Sequence, residues 1–342
     1  MVGYNGVMPN VKVFQFPNPG SNLEAGEREQ RDPARGEARV RIEACGVCHS
    51  DVFSAQGASS YPVVPGHEIA GVIDAVGDGV SKWQVGDRVG VGWFGGADDD
   101  CAACRAGDRI NCANLKTPGL SYDGGYSESV IVPVDALAAI PDGLSSVQAA
   151  PLMCAGVTTF KGLRSSAARA GDLVAVLGIG GLGHLGVQFA AKMGFETVAV
   201  ARGKDKEESA LALGAHHYID STGSSVADEL QALGGAKVIL STVTNATAMS
   251  DALSGLGTRG QLVVLGVSPE AIEVPPGLMV GQTRSVAGHP SGTSKDSEDT
   301  LKFAALFGVK AMVEEVPMSD APAGFDRMMS GDARFRVVLT NP

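Results

Sequence analysis

The chain has 342 residues, 44% of them hydrophobic and 19% charged, with a formal net charge of -11. That length exceeds the roughly 100–200 residues of one domain and predicts two, while the composition excludes wholesale disorder. The acidic charge disfavours a nucleic-acid partner, no apolar run reaches the ~18 residues of a membrane span, and Met1–Asn10 lacks a basic segment followed by an apolar core, so a cytoplasmic location is expected.

The first part reads as short strands punctuated by Gly and Pro: Lys12–Phe16, Ala38–Ala44, Ile69–Val76, Arg88–Trp93 and Ser127–Pro133, which predicts a compact β-rich domain. Between and after these strands stand three settings suited to a catalytic zinc ligand, Gly46-Val47-Cys48-His49-Ser50-Asp51, Gly66-His67-Glu68 and Pro151-Leu152-Met153-Cys154-Ala155-Gly156. Such a site keeps three nitrogen or sulfur ligands and an open position, so Cys48, His67 and Cys154 are the expected set. A cation there acts as a Lewis acid on whatever oxygen takes the open position.

Within the same domain Cys101, Cys104 and Cys112 have the spacing of a closed structural zinc loop. Asp98, three residues before Cys101, is the expected fourth ligand, with Asp99 or Asp100 as substitutes. Two zinc ions per chain account for five of the six cysteines as reduced thiols and leave Cys45 as buried filler.

From about Ala155 strands alternate with helical stretches: Leu173–Leu177, the helix Gly181–Met193, Thr197–Ala201, the helix Lys206–Leu213, Val238–Ser241 and Gln261–Leu265. This is the rhythm of a doubly wound parallel sheet. Gly178-Ile179-Gly180-Gly181-Leu182-Gly183 joins the first strand to its helix, the context in which glycines let a dinucleotide pyrophosphate approach the helix N-terminus. NAD enzymes place a carboxylate after the next strand, but here Val200-Ala201 runs into Arg202-Gly203-Lys204. Arg202 offers a fork suited to a 2′-phosphate and favours NADP(H). NAD stays the alternative, because Arg202 also suits stacking on adenine and Asp205 follows closely.

With these motifs and the C-terminal Arg334-Phe335-Arg336-Val337-Val338-Leu339, the chain resembles the zinc-dependent alcohol dehydrogenases of the medium-chain dehydrogenase/reductase family over nearly its whole length. The resemblance implies a GroES-like catalytic domain of residues 1–154 and 292–342 and a Rossmann domain of residues 155–291, with the helix Ser294–Phe307, a last strand Arg336–Leu339 and an active site in the cleft between domains. It implies that Asp51 orients His67, that Glu68 lies behind the zinc, that Ser50 relays the hydroxyl proton, and that His49 and Arg336 hold the pyrophosphate. Phe53 departs from the pattern, because many relatives place a proton-passing histidine there.

Trp93 and Phe94 resemble pocket-wall positions, and Phe53, Tyr61 and Met153 are candidates beside them. His184, His216 and His217 are expected on helix and turn surfaces, and His289 carries no assigned role. The expected function is NADP(H)-dependent interconversion of primary alcohols and aldehydes, mainly aldehyde reduction, by a homodimer or homotetramer. A zinc-free quinone or enoyl reductase and a non-catalytic zinc- and nucleotide-binding sensor are the competing readings. The zinc-ligand triad argues against both.

Overall fold

A computed structural model of the protein describes residues 10–342. The N-terminal segment read for targeting signals lies, Asn10 apart, outside them. The chain divides into two units: one contains the chain through Cys154 together with Gly292–Ala305 and Val313–Pro342, the other Ala155–Ser291 and Leu306–Met312.

The expected boundaries thus need one correction, the return of Leu306–Met312 to the second unit. The physical reason lies on the helix Gly183–Lys192. Gln188 donates to Lys310 O at 2.9 Å and accepts Lys310 N–H at 3.1 Å, and His184 Nε2 accepts Met312 N–H at 3.2 Å. His184 is therefore no surface residue: it is fully buried, with Nδ1 on Gly180 O at 2.9 Å.

In chain order the strands of the first unit are β1 (Asn10–Gln15), β2 (Glu24–Glu29), β3 (Glu37–Gly46), β4 (Ile69–Val76), β5 (Arg88–Val91), β6 (Ser129–Pro133) and β7 (Leu137–Ala139). Those of the second are β8 (Leu173–Leu177), β9 (Glu196–Ala201), β10 (His217–Asp220), β11 (Ala236–Ser241), β12 (Leu256–Val264) and β13 (Ser285–Gly288), after which β14 (Val313–Pro317) and β15 (Arg336–Thr340) complete the first.

Strands β1 and β2 form an antiparallel ribbon, and the remaining strands of the first unit form a sheet of order β14–β15–β3–β4–β5–β7 with β6 also on β3. In β3 the side chains of Ala38, Val40, Ile42 and Ala44 are buried at alternate positions, the period of a strand packed on one face. Its register sets the site: Cys45 pairs with Ile69 of β4 and with Leu339 of β15, and Gly46 pairs with Val338. The residues just past the end of β3, just before β4 and at the start of β15 are thereby brought to one end of the sheet.

The second unit holds a six-stranded parallel sheet of order β10–β9–β8–β11–β12–β13. Strand β8 is buried at every position, as a central parallel strand covered on both faces requires, and each of its Leu and Val side chains contributes roughly 1.5–3 kcal/mol by leaving water. Strand order reverses between β8 and β11, the point where dinucleotide sites form in open sheets.

Candidate active site and nucleotide turn

The chain leaves β3 with Val47 N–H on Val337 O at 2.9 Å, and Cys48 then enters the short helical turn His49–Asp51. Across the register, His67 and Glu68 immediately precede β4, and the turn Ala150–Met153 delivers Cys154. One ligand atom from each of Cys48, His67, Glu68 and Cys154 lies within 4.8 Å of the others, and all four residues are buried. The three distant ligand candidates are thus brought together.

Asp51 holds the imidazole. Its Oδ1 lies 2.8 Å from His67 Nδ1, while its Oδ2 accepts the Cys48 N–H and the Tyr126 hydroxyl, each at 3.0 Å. With Nδ1 so engaged, Nε2 of His67 is buried without a partner. Leaving a buried polar atom unpaired costs roughly 1–3 kcal/mol. Two sulfurs beside that nitrogen form the donor set of a catalytic zinc, so the residues fit the ion that the sequence predicts. The ring edge of His67 also meets Trp93, with centroids 5.0 Å apart.

The electrostatics suit a cation. Burial alone would lower the proton affinity of His67, but Asp51 and Cys48 outweigh it and raise the imidazole well above its ordinary value. The hydrogen bond from Cys154 holds the Cys48 thiol well below its ordinary value, and the same bond pushes Cys154 well up.

Behind them Glu68 is fully buried, and burial pushes its carboxyl up to about 7 although Arg336 holds it down. Arg336 Nη2 lies 2.5 Å from Glu68 Oε2. The arginine expected on a pyrophosphate is thus 4% exposed and engaged with Glu68, because β15 starts at that position beside β3. Gly46 is required here, since a Cβ on it would stand 2.0 Å from Glu68 Oε2.

Of the other expected residues, His49 is exposed, Ser50 is half-buried and Phe53 is exposed on the short helix Val52–Ala55. Trp93 is half-buried, but Phe94 is a correction: it is 1% exposed under the Arg109 guanidinium, which sits 5.2 Å from its ring, and so packs beneath the cysteine loop rather than lining a pocket. Met153 is likewise core, and the Tyr61 hydroxyl is spent on Ser54 O and Gly57 N–H. Tyr126, missed by the sequence reading, carries no local signal, because only the fold brings it to Asp51.

In the second cluster Asp98, Cys101, Cys104 and Cys112 place one ligand atom each within 4.8 Å of the others. Asp98 Oδ1 accepts N–H groups of Asp100 at 2.9 Å and Cys101 at 3.0 Å, and Oδ2 accepts the Asn114 amide at 2.6 Å. These donors, the Cys101 N–H foremost, hold its carboxyl well below the usual carboxylate range. Backbone N–H groups also point at sulfur, Ala113 at Cys101 and Asn114 at Cys112, which suits thiolates. The proposed substitutes are not in the cluster: Asp99 forks onto Arg109 at 2.7 and 3.0 Å, and Asp100 lies 3.8 Å from Arg105.

In the second unit the turn after β8 is sterically fixed. A Cβ on Gly178, whose φ is +96°, would approach Val243 Cγ1 to 2.6 Å, and one on Gly183 would approach Gly178 O to 1.8 Å. Thr242, after β11, donates to Leu177 O at 3.1 Å and Gly178 O at 2.9 Å. A Cβ on Gly180 would meet nothing within 4 Å, so that glycine leaves an open cradle, as close approach of a pyrophosphate requires. Gly181 and Leu182 complete the turn into the helix Gly183–Lys192, and Arg202 stands exposed just beyond β9.

Comparison with known proteins matches these parts. Residues 34–142 match the alcohol dehydrogenase GroES-like domain and residues 181–306 the zinc-binding dehydrogenase domain. Alcohol dehydrogenase patD of Penicillium expansum is 43% identical over 96% of this chain and 97% of its own. A cinnamyl alcohol dehydrogenase from Sorghum bicolor superposes with a TM-score of 0.89 at 30% identity, covering 97% of this chain and 98% of that one. A Helicobacter pylori structure described as CAD complexed with NADP(H) superposes with a TM-score of 0.86 at 27% identity, covering 97% of this chain and 98% of that one. With a GroES-like unit, a Rossmann unit and these relatives, the chain belongs to the alcohol dehydrogenases of the medium-chain dehydrogenase/reductase family.

Proposed function

We propose that the protein is a zinc-dependent alcohol dehydrogenase that interconverts primary alcohols and aldehydes with NADP(H), chiefly reducing aliphatic or aromatic aldehydes. The observation that carries this reading is the meeting of Cys48, His67 and Cys154 around the partnerless Nε2 of His67. These three residues would hold the catalytic zinc, which when bound supplies Lewis-acid polarisation of the substrate oxygen. Asp98, Cys101, Cys104 and Cys112 would hold a structural ion.

The remaining roles belong to the chain's own side chains. Asp51 keeps the proton of His67 on Nδ1 and so leaves Nε2 as the donor atom, with Tyr126 and the Cys48 N–H fixing Asp51 in turn. Glu68 and Arg336 balance charge behind the site. Ser50 would relay the hydroxyl proton; Phe53 has no titrating group, so water or another group would carry the proton on from there.

On the nucleotide side, the turn Gly178–Gly183 takes the pyrophosphate and Arg202 takes the 2′-phosphate. The cinnamyl alcohol dehydrogenase and the NADP(H)-complexed structure among the similar proteins support an aromatic aldehyde and this cofactor. A homo-oligomeric state, dimer or tetramer, completes the proposal, and light scattering decides it.

The test is the rate of benzaldehyde or cinnamaldehyde reduction with NADPH against NADH, before and after zinc chelation. Loss of activity on chelation and a preference for NADPH are expected. Full activity without metal contradicts the zinc assignment, and a preference for NADH contradicts the role of Arg202.

A further inference from the structure

The turn after β9 carries Arg202 and Lys204 on either side of Gly203. Both cations are exposed and neither has a hydrogen bond or ion pair among the described residues. Gly203 sits in the left-handed region at φ +71°, and both of its backbone polar groups are taken by side chains of β10. Its N–H donates to Asp220 Oδ1 at 2.8 Å, and its carbonyl accepts the Tyr218 hydroxyl at 2.7 Å.

Strand register produces this clamp. Parallel pairing sets Tyr218 beside Ala199 and Asp220 beside Ala201, and Ser221 N–H on Ala201 O extends the pairing past the strand end at 2.9 Å. Asp220 Oδ1 is itself fixed by the Thr222 N–H at 2.9 Å and the Thr222 hydroxyl at 2.7 Å. A few residues on, Lys206 Nζ donates to Ile179 O at 2.8 Å and ties the same segment to the glycine turn.

The geometry has a direct consequence. The Gly203 N–H belongs to the peptide shared with Arg202, and its carbonyl to the peptide shared with Lys204. Fixing both peptide planes fixes the directions in which the two unpaired cations leave the backbone. Two exposed cations, Arg202 with no ion pair among the described residues and Lys204 near Asp220 but not bonded to it, suit a dianionic phosphate, since charge-assisted bonds repay pre-organisation.

We propose that Tyr218 and Asp220 are positioning residues for coenzyme discrimination, clamping the peptides of Gly203 so that Arg202 and Lys204 face the 2′-phosphate of NADP(H). The inference rests on the NADP(H) reading above and adds two residues that touch neither substrate nor reacting atoms.

Calorimetric titration of the whole, metal-loaded enzyme with 2′,5′-ADP and with ADP tests it without turnover. In the wild type 2′,5′-ADP is expected to bind at least about tenfold more tightly than ADP, and Arg202→Ala should abolish that ratio. Tyr218→Phe, which removes one hydroxyl, and Asp220→Ala should each lower the ratio about three- to tenfold, with ADP affinity changed less than about twofold. Thr222→Val keeps the carboxylate and should shift the ratio less, in the same direction, which preserves the test if Asp220→Ala unfolds.

A clamp that only braces the fold would lower the melting temperature and leave the ratio at its wild-type value. That result in Tyr218→Phe and Thr222→Val, with Arg202→Ala still abolishing the ratio, overturns the positioning role. A wild-type ratio near one, or one unchanged by Arg202→Ala, overturns the NADP(H) reading itself and the inference with it.

Discussion

Tyr126 and Asp51 stand 75 residues apart and meet at 3.0 Å, the phenol donating to the carboxylate whose other oxygen faces His67 Nδ1. The orientation of a predicted zinc ligand therefore depends on a tyrosine from the loop before β6. Outer partners of this kind typically account for about 10–100-fold in metal affinity. Asp51→Asn is expected to weaken catalytic zinc by that factor and Tyr126→Phe by several-fold, the value of roughly one hydrogen bond. Competition with a chromophoric chelator reads both, and wild-type zinc retention in Asp51→Asn contradicts the arrangement.

The glycine turn separates two substitutions that look alike in sequence. Gly183→Ala forces a Cβ to 1.8 Å from Gly178 O and should lower both the melting temperature and cofactor affinity. Gly180→Ala meets nothing within 4 Å and should leave the melting temperature nearly unchanged while weakening NADPH binding by about tenfold or more. Thermal unfolding beside nucleotide titration distinguishes them; unimpaired binding in Gly180→Ala contradicts the cradle.

Glu68 gives a pH dependence with a definite sign. Burial raises its folded pKa to about 7 from an ordinary 4.5, so between those values the native state holds the proton that the unfolded chain releases. Stability of the metal-free protein should therefore fall as pH rises from about 4.5 through about 7, with Glu68 accounting for on the order of 3 kcal/mol. Glu68→Gln, which cannot titrate, should lack that component. Parallel stability curves of wild type and Glu68→Gln between pH 5 and about 8 in chelator contradict the assignment.

The cysteine loop closes on a carboxylate. Asp98→Ala should remove the structural zinc and lower the melting temperature while the catalytic zinc stays, whereas Asp98→Cys should retain both ions. Asn114→Ala, which removes the 2.6 Å bond to Asp98 Oδ2, should release structural zinc more readily than wild type. Metal analysis reads each outcome, and an unchanged zinc content in Asp98→Ala contradicts the ligand set.

Much of this was legible in the sequence where the signal is local. The apolar run Leu173–Leu177 and the glycines after it mark a strand and its turn within a few residues, while the helix Ser294–Phe307, with the bounds expected, was implied by the family resemblance. Strand β2, Glu24-Ala25-Gly26-Glu27-Arg28-Glu29, escapes notice because an exposed edge ribbon needs no apolar alternation.

At the site, ligand residues were legible because their chemistry is rare and the resemblance supplied Asp51 and Glu68, while the partners of those two were not legible. Tyr126 on Asp51, Arg336 on Glu68 and the burial of Phe94 are products of register and packing between distant segments. Tyr218 and Asp220 lie on β10, a strand absent from the predicted elements, and pairing with β9 gives them their place.

Diffraction from crystals of the purified enzyme at the zinc absorption edge locates the ions themselves. An anomalous peak is expected bonded to Cys48 Sγ, His67 Nε2 and Cys154 Sγ, lost in Cys48→Ala together with turnover while the peak at Asp98, Cys101, Cys104 and Cys112 remains. An active enzyme with no ion among Cys48, His67 and Cys154 would contradict the zinc assignment.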